Sequence, residues 1–376
     1  MAQKTVRFGI IGAGLMGREF ASAAARWSHL LNQDARPEVV SVCDPNLGAT
    51  EWFKELGSSI QTTTDYRELL ANPEVDAVYC AVPHQLHEEI YIATIEAGKH
   101  LLAEKPFGID LPAAQNILAA VEAHPEILVR CSSQFPFFPG VQRIVKMVKA
   151  GDFGKIIEVR AGFLHSSDLD PSKPINWKRK IETNGEYGCL GDLGLHVVHV
   201  PARCGWKPKN VRALLSKIVA ERPDGKGGMS PCETWDNAIL ACETDEFPII
   251  FETKRIAPGE TNTWYLNVYG TQNSAEFSTK NPKTLRTLPY RPGDRQAWHV
   301  EDLGYSSAYP AITGHIFEFG FTDAIQQMWA AYLDELVHPQ MTGTFSCATP
   351  EEAHLSHRLF TAAIESQRTG QTISVG

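Results

Sequence analysis

The chain opens with a short apolar stretch that runs directly into a glycine fingerprint. Residues 6–11 are mostly apolar, and Gly12-x-Gly14-x-x-Gly17 follows them without a linker. An alanine-rich segment of helix-forming composition comes next. Strand, glycine turn and helix in this order predict a dinucleotide-binding β–α turn. Gly12 would permit the bend, Gly14 would admit a pyrophosphate close to the backbone, and Gly17 would let the helix pack tightly on the strand.

The first turn of that helix is a predicted phosphate site. The N–H groups of a helix N-terminus have no partner within the helix, and this end carries the positive pole of the helix dipole. Leu15 and Met16 occupy this turn and, with Gly12 and Gly14, are expected to contact the cofactor. The spacing taken alone would also suit an ordinary glycine-rich turn.

A second predicted strand, residues 38–44, ends in Asp44. An acid at this place in a dinucleotide fold accepts hydrogen bonds from the adenosine ribose and repels a 2′-phosphate. The next residues are Pro45, Asn46 and Leu47, so no lysine or arginine follows closely. The pattern favours NAD over NADP. The alternative is that Asp44 only caps the helix that begins near Leu47.

Strands and helices alternate through the rest of the first part of the chain. The first helix should end near Leu30 or Leu31. The alternation of strands and helices predicts a doubly wound parallel sheet. Ligands bind beyond the carboxyl ends of the strands in such a sheet. The residues that should join the glycine turn and Asp44 at this edge, as cofactor contacts, are Pro83, His84, His87, Glu104 and Lys105.

The pattern changes near residue 150. Short alternating strands separated by polar links predict a large, mostly antiparallel sheet with few helices and one open face. Residues 323–336 and 351–368 are predicted amphipathic helices. We expect two domains, a dinucleotide-binding domain at 1–132 and a substrate-binding and oligomerisation domain at 133–376. The final helices of the second would be free to pack back on the first.

Composition excludes several classes of protein. The formal net charge is −9 with both signs interspersed, which argues against nucleic acid as the main partner. Eight cysteines without paired zinc spacing favour a reduced cytoplasmic protein without a metal site. No apolar run approaches the roughly 20 residues of a membrane span, and the first strand begins too early to leave room for a signal peptide.

Lys105 is a candidate catalytic residue. It lies where a predicted strand stops, and Pro106 after it disfavours helical backbone at the lysine. From the cofactor edge its ammonium would reach both the nicotinamide and a substrate hydroxyl. Viewed alone, it would more often be an ordinary surface lysine.

A second candidate cluster contains Asp192 and His196. If this segment is helical, the two residues are four apart and share one face. A carboxylate beside an imidazole would orient a sugar diol and exchange a proton near neutral pH. The alternative is a helix cap beside a structural histidine, and His199 on a neighbouring face is interpreted as structural.

Together these motifs resemble one family. The chain carries, in order, Gly12-x-Gly14-x-x-Gly17, Pro83-x-x-x-His87, Glu104-Lys105-Pro106 and Asp192-x-Gly194-x-His196, an order similar to that of the Gfo/Idh/MocA oxidoreductases. The resemblance spans the whole chain. It implies a Rossmann domain, an open-sheet α/β domain, NAD(P)-dependent oxidation or reduction of a carbohydrate-like alcohol or ketone, and homodimers or homotetramers.

The resemblance also implies roles for individual residues. Lys105 would bind the reacting oxygen, His196 would be the main proton acceptor, and Asp192 would hold the substrate or the lysine. The question of which group takes the proton stays open between Lys105 and His196. Trp177 and Lys178 match a tryptophan–basic pair that commonly lines the pocket in this family.

Two departures from the family pattern weaken any inference of this chain's substrate from that of the family. His84 stands where the family often has asparagine, and residues 186–188 replace three consecutive glycines. The main hypothesis is an NAD-dependent oxidoreductase acting on a ring hydroxyl or ketone of a sugar, polyol or glycoside. Lys178 and Arg255 are candidates for binding an acidic group on that sugar, with solvated surface charge as the alternative.

Two other functions remain open. One is an NAD-dependent glycosidase that works by transient ring oxidation, elimination, water addition and re-reduction. It would use the same residues, and its substrates would include glycosides of sulfosugars. The other is a non-catalytic dinucleotide sensor, against which the presence of Lys105, Asp192 and His196 argues.

Overall fold

A computed structural model describes residues 3–343 and 345–376. Within these residues the strands form a six-stranded sheet, a nine-stranded sheet and a two-stranded ribbon. The first sheet has the order β3-β2-β1-β4-β5-β6, and all its neighbours are parallel. The predicted doubly wound parallel sheet is therefore confirmed. Its strands are β1 (Lys4–Ile11), β2 (Ala35–Cys43), β3 (Gln61–Thr63), β4 (Ala77–Cys80), β5 (His100–Ala103) and β6 (Val129–Cys131).

Helices connect these strands as the alternating pattern predicts. They are α1 (Leu15–Ala25), α2 (Leu47–Lys54), α3 (Tyr66–Ala71), α4 (His87–Glu96) and α5 (Leu111–Ala123). The predicted end of α1 near Leu30 is wrong. The helix stops at Ala25, and a 3₁₀ turn follows because Trp27 is buried and its indole N–H donates to the Ala35 carbonyl at 2.9 Å.

The second sheet is mixed. Its order is β16-β15-β14-β13-β7-β12-β11-β8-β17, and the β7–β12 pair is parallel while the other neighbours are antiparallel. Strands β9 and β10 form the separate ribbon. The bounds are β7 (Ile156–Leu164), β8 (Asn210–Ser216), β9 (Glu221–Pro223), β10 (Met229–Pro231), β11 (Asn237–Glu243), β12 (Pro248–Lys254), β13 (Thr263–Gly270), β14 (Asn273–Ser278), β15 (Thr284–Pro289), β16 (His299–Asp302) and β17 (Ile373–Ser374).

More helices accompany this sheet than the sequence pattern predicts. They are α6 (Pro139–Ala150), α7 (Ile181–Asn184), α8 (Cys189–Arg203), α9 (Phe321–Val337) and α10 (Pro350–Thr369). Helix α8 is buried from Cys189 to Ala202, and Gly191, Gly194 and Pro201 inside it weaken the helical signal of its sequence. A Cβ on Gly194 would lie 2.3 Å from the Phe360 ring, so glycine allows α8 and α10 to approach each other closely.

Helix α9 packs on the first sheet although it follows the second in sequence. The Trp329 ring lies 3.5 Å from that of Phe20, 5.2 Å from that of Tyr79 and 5.3 Å from that of Phe8, measured between centroids. These aromatic side chains close the core between α1, α9 and the sheet. In the described part of the chain, no helix combines the length and apolar character that crossing a membrane requires.

Candidate active site

A cavity of about 990 Å³ lies at the carboxyl edge of the first sheet, and its other wall comes from α8 and the ends of β7 and β12. It brings together most of the residues singled out by the sequence. Those in its lining are Gly12, Gly14, Leu15, Met16, Asp44, Pro83, Glu104, Lys105, Trp177, Lys178, Asp192, His196 and Arg255.

The glycine turn forms one end of the cavity. Gly12 has a φ of 103°, and a Cβ there would lie 2.4 Å from the Ala81 carbonyl oxygen. A Cβ on Gly17 would lie 2.2 Å from the Gly12 carbonyl oxygen, whereas one on Gly14 would meet nothing within 4 Å. Gly12 and Gly17 are thus required by close packing, and Gly14 keeps space free in front of the helix.

The residues around this turn fit a dinucleotide. Within the described chain, the N-terminus of α1 receives no side-chain cap, and its first turn carries no acidic residue. Its amide groups therefore face the space beside Gly14 as free donors, which suits a pyrophosphate. A glycine cradle before an uncapped helix N-terminus is the donor set that NAD requires.

Asp44 lies beside this cradle. Its carboxylate accepts hydrogen bonds from the Ala13 and Asn46 amides, each at 2.9 Å. Asn46, and not Asp44, caps α2, since its side chain accepts from the Gly48 amide at 3.1 Å. The capping alternative for Asp44 is therefore wrong. Each carboxylate oxygen keeps a lone pair with which to accept from a ribose hydroxyl.

Lys105 crosses from the first sheet to α8. It follows β5, and its ammonium donates to the Asp192 carbonyl oxygen at 2.7 Å and to Asp192 Oδ1 at 3.0 Å. The preceding Glu104 is buried and accepts a hydrogen bond from the Tyr79 hydroxyl at 2.7 Å. These contacts direct Lys105 into the cavity and hold Glu104 in its floor.

Asp192 is the centre of the charged cluster. Besides Lys105, it accepts from the Lys178 ammonium at 3.0 and 3.1 Å, and Arg255 pairs with its Oδ2. The Asp192 side chain is 2% exposed. Burial by itself would raise the pKa of Asp192, but the three cations bring that pKa well below its ordinary value. The carboxylate is therefore ionised at every pH near neutral.

A buried ion network outside the cavity holds Arg255 in place. The Arg255 Nε donates to Asp168 Oδ2 at 2.6 Å, and Asp168 also pairs with Arg179. Arg179 donates in turn to Asp236 at 2.6 Å, and both of these side chains are 1% exposed. The Asp236 carboxylate also accepts from the Ile218 amide at 2.6 Å. The network fixes the segment that precedes α8 against the second sheet.

His196 occupies the apolar part of the same wall. Its ring packs edge-on against Phe135 and Phe163, with centroids 5.2 and 5.5 Å away. Burial lowers the pKa of His196 well below its ordinary value, and the nearby charge of Lys105 acts in the same direction. The backbone is fixed by the Trp264 indole, which donates to the His196 carbonyl at 2.9 Å. The imidazole is therefore neutral in this state.

Two predicted cofactor residues are absent from the cavity lining. His84 is buried behind Trp177, and its Nδ1 lies 3.1 Å from the Asn184 carbonyl oxygen. His87 has its two ring nitrogens 2.7 and 2.9 Å from the carbonyl oxygens of Pro106 and Val82. Burial lowers the pKa of His87 to about 4. Both histidines join backbone segments that surround the cavity.

Several lining residues were not singled out from the sequence. His165 and Ser167 follow the end of β7, and Asn262 precedes β13. Burial lowers the pKa of His165 to about 4. The parallel pairing of β7 with β12 brings His165 and Ser167 to the same edge as Arg255, and the antiparallel pairing of β7 with β13 brings Asn262 there. Neither pairing can be read from one strand alone, so the sequence held no local signal for these residues.

His199 lies beyond His196 on α8, and histidine, cysteine and carboxylate side chains are the usual ligands of a metal ion. His199 is fully buried, with its Nε2 3.6 Å from a carboxylate oxygen of Glu352, which agrees with the structural role predicted for it. Among the described residues, no three His, Cys, Asp or Glu side chains are grouped in a way that would hold a metal ion.

Two family models match successive parts of the chain. Residues 6–130 match the GFO_IDH_MocA family, described as an oxidoreductase family with an NAD-binding Rossmann fold, and residues 141–276 match the GFO/IDH/MocA C-terminal domain. An uncharacterized oxidoreductase of Synechocystis is 30% identical over 256 residues, covering 67% of this chain and 68% of its own.

A characterised relative and a solved structure extend the likeness. The levoglucosan dehydrogenase of Pseudarthrobacter phenanthrenivorans is 27% identical over 335 residues, covering 80% of this chain and 85% of its own. A structure of levoglucosan dehydrogenase in complex with NADH and L-sorbose superposes with a TM-score of 0.89 at 22% identity, covering 100% of both chains. That structure shares the fold.

The predicted family, fold and cofactor are thus confirmed. The N-terminal match, an NAD-binding Rossmann fold, includes the glycine turn and Asp44, and both line the cavity. This chain belongs to the Gfo/Idh/MocA family of NAD-dependent oxidoreductases.

Proposed function

We propose that the protein is an NAD-dependent dehydrogenase that acts on a ring hydroxyl of a sugar, polyol or glycoside. One observation carries the proposal: a single cavity holds the glycine cradle and Asp44 at one end and Lys105, Asp192 and His196 at the other. Its volume of about 990 Å³ accommodates a dinucleotide end together with a monosaccharide. A dehydrogenase of this family is also among the relatives of the chain.

The residues divide the chemistry between them. NAD, when bound, supplies the acceptor for the hydride of the alcohol carbon. Lys105 donates a hydrogen bond to the reacting oxygen, and Asp192 holds the lysine in position through its ionised carboxylate. The neutral imidazole of His196 presents an acceptor for a neighbouring hydroxyl. Because Asp192 and His196 are almost fully buried, water is kept away from the reacting atoms.

The charge around the site supports an acidic substituent on the sugar. Lys105, Lys178 and Arg255 converge on one carboxylate, Asp192, and Arg255 also contacts Asp168. Lys178 and Arg255 both line the cavity and reach Asp192 from the second part of the chain. An anionic group on the substrate would be bound by these cations in the place of the Asp192 carboxylate. A panel that pairs neutral sugars with their uronic, phosphorylated and sulfonated forms tests this proposal.

The decisive experiment measures NADH formation over that panel with wild type, Lys105→Met and His196→Ala. We expect stoichiometric NADH from one sugar class and a loss of at least about 100-fold in turnover in both variants. Near-normal turnover in both variants would remove the assignment of this site. An NAD-dependent glycosidase would instead release the aglycone without net NADH, so both products are measured in the same reaction.

We further propose homodimers or homotetramers formed through the open face of the second sheet, in the cytoplasm. The face opposite α8 contains a shallow depression of about 660 Å³ lined by Arg160, Tyr265, Asn267 and Arg286 among others. All eight cysteines are free thiols, which supports a reducing compartment. Sedimentation of wild type and of Tyr265→Arg tests the interface, and a wild type that sediments as a monomer contradicts it.

We also propose that residues 1–132 form a dinucleotide-binding domain, which supplies the cofactor end of the site, and that residues 133–376 form a substrate-binding domain. Lys105 of the first part reaches across to the substrate end, where Asp192, His196 and Arg255 come from the second. The cavity wall contributed by each part supports this division.

A further inference from the structure

The charged cluster contains a second lysine in a position equivalent to that of Lys105. The Nζ atoms of Lys105 and Lys178 both lie 3.0 Å from Asp192 Oδ1, while Arg255 holds the other carboxylate oxygen. Both lysines line the cavity. Lys178 belongs to the 3₁₀ turn Trp177–Arg179, whereas Lys105 follows β5 of the first sheet, so the two lysines reach the carboxylate from different parts of the chain.

The main chain at Lys178 is held rigidly. Its amide donates to Asn176 Oδ1 at 3.0 Å, and its carbonyl accepts from the Thr234 hydroxyl at 2.9 Å. The next residue, Arg179, is buried in the ion network with Asp236. The ammonium is therefore positioned by the fold, unlike that of a free surface lysine, which has many rotamers to choose from.

The charged and titratable groups that face Lys178 come from four elements. Asp192 lies on α8, Arg255 follows β12, Lys105 follows β5, and His165 follows β7. Burial lowers the pKa of Lys178 to about 8, with Asp192 opposing this shift and the two other cations adding to it. Three cations on one carboxylate repel each other, and a guanidinium does not lose its proton. Release of one lysine proton relieves the repulsion.

His196 is poorly suited to receiving a proton. Its ring is enclosed by Phe135 and Phe163, and both its burial and the charge of Lys105 favour the neutral form. Lys178 differs in one further respect, since its side chain is 29% exposed against 17% for Lys105. A proton received by Lys178 has a route to solvent that the enclosed imidazole does not share.

On the basis of the proposed function, we propose that Lys178 is a second catalytic lysine, which takes up the proton of the substrate hydroxyl and passes it to solvent while Lys105 holds the reacting oxygen. The O–H bond breaks as an N–H bond forms on the neutral Nζ of Lys178. The C–H electron pair leaves as hydride to the NAD of the proposed function, and the C=O bond forms. The ammonium then returns the proton to water. Reduction runs the same steps in reverse.

The kinetic test compares Lys178→Arg and Lys178→Met with wild type, with Lys180→Arg as the matched control. Lys180 pairs with Glu233 at 3.1 Å and is not in the cavity lining. In the oxidation direction, wild-type kcat should rise with pH through a value near 8. Lys178→Arg keeps the positive charge but does not release a proton, so kcat should fall at least about 100-fold and the rise should disappear.

Binding and folding measurements separate a chemical role from a structural one. NADH affinity, followed by fluorescence, and the thermal unfolding midpoint should stay at wild-type values in Lys178→Arg. Substrate binding alone would raise KM and leave kcat and its pH profile intact. A Lys178→Arg variant with wild-type kcat and the same alkaline rise would overturn the proposal and return the proton to Lys105 or His196.

A second measurement does not depend on turnover. Wild-type protein is labelled with a trace of an amine-acylating reagent over a range of pH, and the labelled peptides are quantified by mass spectrometry. Lys178 and Lys180 make a matched pair, because their side chains are 29% and 30% exposed. The reactivity of Lys178 should reach half its maximum near pH 8, and a half-maximum at the ordinary lysine value of about 10.4 would overturn the proposal.

The two tests distinguish the failure of each proposal. If the enzyme turns over but the labelling of Lys178 does not titrate near pH 8, only the proposal that Lys178 is a second catalytic lysine is overturned. Early titration of Lys178 in a protein that oxidises no sugar of the panel overturns the proposed function and the catalytic role of Lys178 with it. Turnover, early titration and loss of the alkaline rise together support both.

Discussion

At the scale of single residues, the site depends on one carboxylate that faces three cations. Asp192 is 2% exposed and contacts Lys105, Lys178 and Arg255. Removing one partner of such a cluster is costly because the remaining charges stay buried without compensation. The roles of the three cations therefore cannot be separated by changing Asp192, but their common dependence on it can be measured.

Asp192→Asn should lower both activity and stability. The change keeps the shape and removes the charge, so we expect kcat/KM to fall at least about 100-fold and the free energy of unfolding to fall by about 3 kcal/mol. The lowered pKa of Asp192 means that its stabilisation is present above the unfolded value near 4 and is lost only as pH falls through the lower folded value.

Urea unfolding of wild type and variant across pH checks this prediction. The gap in unfolding free energy should persist from pH 5 to pH 7 and close in stronger acid. Asp245→Asn is the control, since Asp245 pairs with Lys209 on the surface, where the two side chains are 78% and 58% exposed. A wild-type unfolding curve for Asp192→Asn would contradict the account of the cluster.

Asp44 should decide between the two dinucleotides. Asp44→Ala removes the acceptor for the ribose hydroxyls and the repulsion of a 2′-phosphate, so NADH should bind about 10- to 100-fold more weakly. The preference for NADH over NADPH should narrow or reverse. Fluorescence titration with both cofactors measures this, and Asp44→Asn, which keeps one acceptor oxygen, should fall between. An unchanged ratio in Asp44→Ala would place ribose recognition elsewhere.

At the scale of elements, the β1–α1 turn separates packing from ligand binding. A Cβ on Gly17 would lie 2.2 Å from the Gly12 carbonyl oxygen, whereas one on Gly14 would meet open space. Gly17→Ala should therefore destabilise the fold by about 1–3 kcal/mol. Gly14→Ala should leave the unfolding midpoint close to wild type and weaken NADH binding at least about 10-fold by occupying the space of the pyrophosphate.

Thermal unfolding and NADH titration of this pair check the prediction together. Each variant serves as the control for the other, since both add one methyl group within the same turn. Equal losses of stability in the two variants would contradict the difference in packing, and wild-type NADH affinity in Gly14→Ala would show that the open space at Gly14 is not a ligand cradle.

Local pattern was enough to predict most elements. The glycine fingerprint, the strand ending in Asp44 and the alternation of strands and helices are written in consecutive residues, and the structure has them. The end of α1 was not predictable, because it depends on the hydrogen bond from Trp27 to Ala35. Helix α8 was conditional in the sequence, because Gly191, Gly194 and Pro201 inside it have low helix propensity.

The candidate site was predictable only in part, for a similar reason. Lys105, Asp192 and His196 carry local motifs, and the fold brings all three to one cavity. The network that holds Arg255, through Asp168 and Arg179, joins residues far apart in sequence and has no local signature. His84 and His87 had the expected positions, but their side chains turn to backbone carbonyls.

At the scale of the whole molecule, a helix from late in the sequence packs against the first strand and helix. Helix α9 follows β16 of the second sheet in the sequence. Its Trp329 is nevertheless 1% exposed, between Phe8 and Tyr79 of the first sheet and Phe20 of α1. Helix α1 has its N-terminus at the cofactor end of the cavity. It thus packs against α9, which lies about 300 residues later in the sequence. Stability of the cofactor site should therefore depend on a residue far from the ligand.

Trp329→Ala tests that dependence against a matched truncation. Trp206 is also buried, at 8% exposure, but it packs on Phe247 in the core of the second sheet, with centroids 5.9 Å apart. Both changes should lower the free energy of unfolding by about 3–5 kcal/mol. Under conditions where both variants stay folded, only Trp329→Ala should bind NADH more weakly, because only it loosens α1 at the cavity. Equal NADH affinity in the two variants would show that the glycine turn is held by its own contacts, and that the return of α9 contributes to folding without supporting the site.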